Sequence, residues 1–168
     1  MAGAVQRALR HLFAGSAHAL YPEAALQQLA ATIAEGEATH QGQVVFAVES
    51  ALPVRAVLAG QTPRQRAVEV FSRLRVWDTE CNNGVLIYLL IADRRIEIVA
   101  DRAIAARVGD DQWRGVCQQM EDHLKGANAQ AAAIAGAAAV SALLAEHFPR
   151  GNGDSARNEL SDRPHILG

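Results

Sequence analysis

The chain has 168 residues, half of them hydrophobic but only 5% aromatic, with sixteen basic and eighteen acidic side chains and a formal net charge of -2. That length suits one domain, and a core built of Ala, Val, Leu and Ile packs closely, which argues against a roomy pocket for a large organic cofactor. The near-neutral balance gives no basis for nonspecific nucleic-acid binding.

From the amino end, Val5, Leu9, Leu12 and Phe13 fall at helical spacing, with Arg7, Arg10 and His11 between them. Such a short amphipathic helix could dock on the body or on a membrane surface, and docking on the body is favoured because the polar side carries only two firm charges. The same charges interrupt any secretion-signal core, so a cytoplasmic location is expected. Pro22 suits the first turn of a helix that Ala25, Leu26, Leu29 and Ile33 carry to about Thr39. Gln43 to Ser50 reads as a strand buried on both faces until Glu49. Pro53 makes the segment from Leu52 to Gly60 ambiguous.

Thr62 as N-cap and Pro63 then open a helix to about Arg75, with Ala67, Val70, Phe71 and Leu74 inward. Arg64, Arg66, Arg73 and Arg75 flank it, as a solvated face or as a site for an anion or acidic partner. Val85 to Ile91 is apolar throughout and reads as a central strand. Arg95 to Ala100 alternates, with Ile96, Ile98 and Ala100 on one face and Glu97 and Val99 on the other, as nearer an edge. The two form a hairpin.

Beyond it, Ala103 to Val108 gives a helical turn or two. Asp110 or Asp111 caps a helix to about Leu124 with the stripe Trp113, Val116, Cys117, Met120 and Leu124. Ala127 to His147 forms an Ala-rich helix stopped by Pro149. Its apolar run, Ala131 to Ala145, is about 22 Å long against roughly 30 Å of bilayer core, so no transmembrane segment is expected. The six histidines are dispersed and read as surface residues. Cys81 and Cys117 have no metal-ligand spacing; their count alone permits a disulfide, but their low density favours two reduced thiols. Residues 1–20 therefore form an N-terminal extension, 21–149 the domain and 150–168 a flexible tail.

These elements predict a three-layer α/β/α sandwich with a small mixed sheet, a parallel crossover plus the hairpin, and a helical C-terminal half. By this topology Asp78, Glu80, Asn82 and Asn83, before the hairpin, and Asp101 and Arg102, after it, meet at one edge. The side-chain oxygens of Asp78, Glu80, Asn82, Asn83 and Asp101 suit a hard cation such as Ca2+ or Mg2+. They also suit turns and helix caps, since Asn and Asp tolerate positive φ.

The hairpin and its margins resemble the TPM domain, a small α/β/α family of thylakoid-lumen photosystem-repair proteins, a receptor auxiliary protein and many bacterial proteins. The likeness rests on Phe71, the loop Val76 to Glu80, Asn82-Asn83-Gly84-Val85-Leu86, Asp93-Arg94-Arg95 and Ile96 to Ala100. It spans roughly Leu20 to Phe148. The acidic residue near the start of the family's first helix has no clear counterpart around Ser16 to Tyr21, and Ala100-Asp101-Arg102 stands where a glycine pair is usual.

The resemblance implies a noncatalytic accessory module with a protein partner in a membrane-associated assembly. Because the family includes proteins described as phosphatases and others that look like calcium binders, the alternative is a metal-dependent phosphohydrolase. In that case Asp78, Glu80, Asn82, Asn83 and Asp101 would hold the metal, and Arg94 and Arg102 would bind the phosphoryl group. No motif supplies a nucleophile, and Cys81 has no His beside it.

Overall fold

In chain order the elements are α1 (Ala2–Leu12), α2 (Ala17–Leu20), α3 (Glu23–Glu37), β1 (Gln43–Glu49), α4 (Val54–Leu58), α5 (Pro63–Arg73), β2 (Gly84–Leu90), β3 (Arg95–Ala100), α6 (Arg102–Ala105), α7 (Asp110–Lys125), α8 (Ala129–His147) and β4 (His165–Leu167). The structure, a computed structural model, describes residues 2–151 and 158–168. The sheet order is β3-β2-β1-β4. β1 runs parallel to β2 and β4, and β3 pairs antiparallel with β2.

Strand alternation divides the core in two. Val44, Phe46, Val48, Val85, Ile87, Leu89, Ile96 and Ile98 pack with residues of α2, α3, α7 and α8, whereas Val45, Ala47, Leu86, Tyr88, Leu90 and Val99 pack with residues of α1, α4 and α5. Helices therefore cover both faces, which is why β1 and β2 are buried at every position. β3 is an edge strand, as its alternating pattern implies.

Local chemistry sets the element ends. The Thr62 hydroxyl accepts the Gln65 N–H at 3.1 Å while Gln65 Oε1 accepts the Thr62 N–H at 2.9 Å, a reciprocal cap that fixes the start of α5. Asn128 Oδ1 caps α8 through the Ala131 N–H at 2.9 Å. Gly36 lets α3 approach α8: a Cβ there would lie 2.1 Å from Ser141 Oγ. By length and composition α8 could cross a membrane; in this fold Ala132, Ala133, Gly136, Ala137, Val140 and Leu144 are buried and the helix lies against α3, α7 and β1.

Several elements depart from the sequence reading. Pro22 is the N-cap of α3 rather than a first-turn residue, and the ambiguous stretch after Leu52 contains α4. Residues 152–157, within the segment read as a tail, lie outside the described residues, but His165, Ile166 and Leu167 pair with Ala47, Val48 and Glu49 as β4. Two histidines read as surface residues are buried, His11 and His40. Arg66 does not belong to a solvated face, because Glu49 at the end of β1 draws it in with hydrogen bonds of 2.8 Å from both Nε and Nη2.

Candidate functional site

Parallel β1 and β2 begin at the same edge of the sheet, and antiparallel β3 ends there. The Asp101 N–H accordingly donates to the Gly84 carbonyl at 2.8 Å, and the Ala103 N–H donates to the Asn82 carbonyl at 3.2 Å. The Arg102 guanidinium crosses the same corner, donating to Asn82 Oδ1 from Nε at 3.2 Å and Nη2 at 3.0 Å. Asn82, Asn83, Asp101 and Arg102 are thus neighbours on one rim, and the hairpin's fold back on itself is what joins them.

Close packing shapes that corner. A Cβ on Gly84 would lie 2.0 Å from the Val76 carbonyl oxygen, so the glycine of the Asn-Asn-Gly-Val-Leu run admits the chain segment that leads into the rim. Asn82 takes a φ of 51°, in the left-handed region that Asn tolerates. The Asn83 N–H donates to Thr79 Oγ1 at 3.0 Å, and Asn83 Nδ2 donates to the Gln41 carbonyl. Thr79 is a further polar member that sequence reasoning missed; its four-residue spacing from Asn83 and its burial are what mark it.

Other expected site residues do not join. Asp78 is exposed and pairs with Arg75. Glu80 is exposed on the loop, where its N–H donates to Glu159 Oε2 at 2.9 Å. Arg94 lies in the hairpin turn at the far end of β2 and lines a cavity of about 680 Å³ with Leu89, Ile91 and Arg95, so it cannot act with Arg102. The segment read as tail instead reaches the rim: the Glu159 and Leu160 N–H groups donate to Gln43 Oε1 at 2.8 and 3.1 Å.

Electrostatics at this edge reflect burial. Asn83 Oδ1 and Asp101 Oδ2 are buried without a hydrogen-bond partner, although Asp101 Oδ1 accepts the Arg102 N–H at 2.7 Å and so caps α6. Unsatisfied buried oxygens cost free energy unless something positive meets them. Burial, the dominant cause, raises the Glu37 carboxyl to about 7 despite its bond from the Val44 N–H. Burial likewise lowers the His40 imidazole to about 4.

Among the described residues, no three His, Cys, Asp or Glu side chains gather as a metal-holding group. A hard cation would therefore depend on Asn83 Oδ1, Asp101 Oδ2 and main-chain or water oxygens. The two open oxygens fit that kind of ion, with few charges to hold it. Cys81 is exposed, and its thiol is free.

The opposite end of the sheet carries a second polar group. Asp93 Oδ2 accepts Arg7 Nε at 3.0 Å and Nη2 at 2.6 Å, and His11 Nε2 lies 3.2 Å from Asp93 Oδ1. Burial pushes the Asp93 carboxyl up, but its bonds with Arg7 and then His11 outweigh that and hold it below the usual carboxylate range. Nearby in the sheet, Glu49 Oε2 also accepts the Tyr88 hydroxyl at 2.6 Å.

Comparison with known proteins agrees with this architecture. The TPM domain matches residues 16–143, and the chain belongs to the TPM-domain family. The NMR structure of the BA42 protein from the psychrophilic bacterium Bizionia argentinensis superposes with a TM-score of 0.75 at 23% identity, covering 85% of this chain and 92% of that one. No curated protein matches the chain.

Proposed function

We propose that this TPM-domain chain is a noncatalytic accessory module whose amino-end rim takes a hard divalent cation, Ca2+ or Mg2+, and whose surface engages a protein partner in a membrane-associated assembly. The observation that carries the cation reading is the pair of buried oxygens without partners, Asn83 Oδ1 and Asp101 Oδ2, on one rim. A positive ion at that rim would relieve the cost of leaving such oxygens buried without a partner. With Asp101 as the carboxylate in that pair, affinity belongs with weak sites, about 10⁻⁴ to 10⁻³ M.

Support for a noncatalytic role comes from the chemistry of the rim. Its polar members are amides, a hydroxyl, a carboxylate and a guanidinium that is already bonded to Asn82, and no His lies in hydrogen-bond contact with Thr79 or Cys81 among the described residues. A phosphohydrolase needs an activated nucleophile and cationic groups aimed at the phosphoryl oxygens. The one observation favouring that alternative is Arg102 beside Asn82 and Asp101.

The decisive measurement is thermal unfolding with added CaCl2 or MgCl2. A ligand at about ten times its dissociation constant contributes about 1.4 kcal/mol, which for a chain of this size raises the melting point by about 3–6 °C. Asp101→Asn keeps a cap for α6 and should abolish the rise. An unchanged melting point at about 10 mM of either ion refutes the cation reading. Metal-dependent phosphomonoester turnover that Asp101→Asn abolishes would move the assignment to the hydrolase.

A further inference from the structure

α1 is oriented with its apolar side outward. Its inner side is Arg7, Ala8 and His11: Arg7 Nη1 donates to the Gln61 carbonyl at 2.8 Å, His11 Nδ1 accepts the Leu52 N–H at 2.9 Å, and both side chains meet Asp93. The outer stripe is Val5, Leu9, Leu12 and Phe13, exposed by 56%, 49%, 60% and 83%. Two clamps to Asp93 and one to the Leu52 main chain hold the helix in that orientation. The stripe cannot turn inward without breaking a buried ion pair.

We infer that this stripe docks the protein on an anionic lipid surface. Charge complementarity selects that occupant, because no Asp or Glu precedes Glu23 in the sequence, and Glu23 is itself paired with Arg163 at 3.0 Å. Asp93, the acidic side chain against α1, has only 6% of its surface exposed and meets two guanidinium groups, Arg7 at 2.6 Å and the 57% exposed Arg10 at 3.6 Å, so this cluster keeps a surplus positive charge. α4, which packs on α1, adds exposed Arg55 and Leu58. Glu69, half-exposed beyond α4, is paired with Arg66 at 3.1 Å, and an apolar ridge flanked by a surplus of cations is the pattern of a helix lying in a headgroup layer.

A second copy is a poorer occupant. Stacking two copies face to face would bring the exposed Arg10 and Arg55 of each against those of the other. The stripe lies outside residues 16–143, which match the TPM domain. It lies at the carboxyl end of β1 and β2, away from the cation rim, and stands independently of the cation reading.

The test is co-sedimentation of the full chain with phosphatidylcholine vesicles containing about one third phosphatidylglycerol, beside vesicles of phosphatidylcholine alone. The expected result is binding to the anionic vesicles that weakens with salt, with at least about a tenfold loss in Leu9→Glu/Phe13→Glu, since each substitution removes an apolar side chain from the layer and adds a negative charge. Arg55→Glu, at an exposed position on α4, should weaken binding without touching the apolar stripe. Leu9 and Phe13 are exposed, so the melting point of the double variant and its response to CaCl2 should match wild type. Protein that stays in the supernatant, equal binding by wild type and the double variant, or equal binding to both vesicle types overturns the inference. So does a dimer in light scattering that the double variant dissolves while vesicles capture nothing.

Discussion

Removing the Arg66 guanidinium should leave a buried carboxylate at the end of β1 without its cation. Glu49 ends β1 with its side chain 3% exposed; it accepts two hydrogen bonds from Arg66, itself 15% exposed, and one from the Tyr88 hydroxyl. Deleting one partner of a buried pair leaves the other uncompensated, at about 3–5 kcal/mol. Tyr88 still donates, so Arg66→Met should cost about 3 kcal/mol, the lower end of that range. For a chain of this length the melting point should fall by about 6–12 °C. Urea unfolding followed by circular dichroism reads the change directly as a shift in midpoint. The double variant Glu49→Gln/Arg66→Met, which removes the orphaned charge, should recover at least about 1 kcal/mol. An Arg66→Met protein within about 0.5 kcal/mol of wild type would refute the reasoning, for that is the behaviour of an ordinary surface side chain.

Gly84→Ala should destabilise by about 3 kcal/mol, because the new methyl group meets the Val76 carbonyl oxygen and neither main chain can yield easily; a variant as stable as wild type in urea would show that the rim relaxes freely. The buried pair of titrating groups gives a pH prediction. Glu37, raised from 4.5 to about 7, contributes stability that is present below pH 4.5 and is lost as pH rises through 7. His40, lowered from 6.5 to about 4, contributes stability that is present above pH 6.5 and is lost as pH falls through 4. Each amounts to about 3 kcal/mol at most, with opposite sign, so the two nearly cancel between about pH 4.5 and 6.5. Glu37→Gln keeps an acceptor for the Val44 N–H and should leave a stability that climbs across that window; a profile as flat as wild type by urea titration would contradict the assignment.

The hairpin was readable because each of its strands announces its surroundings: continuous apolar residues in β2 and alternation in β3. Their antiparallel return also foretold that Asn83 and Asp101 share an edge. Side-chain direction was harder to read. Asp78 sits three residues from Arg75 and is taken by it in solvent, a local competition that residue type does not reveal. Arg94 was grouped with Arg102 by charge, although the length of the hairpin places them at opposite ends. Glu49, an acid closing an otherwise apolar strand, was the available sign that some cation must come inward, and Arg66 is the residue that does. α1 misleads for a related reason: helical spacing says which residues share a stripe, and Asp93 decides which stripe faces the body. β4 has only three residues in a polar stretch and gains its strand geometry from β1.

The seven-residue length of β1 and β2 sets a distance of about 23 Å between the Asn83 corner and the Asp93 clamp. Between solvent-exposed charges, electrostatic influence in physiological salt decays over about 8 Å, a third of that distance. Solvent-facing charges at the two extremities are therefore insulated from each other by the span of two fully enclosed strands.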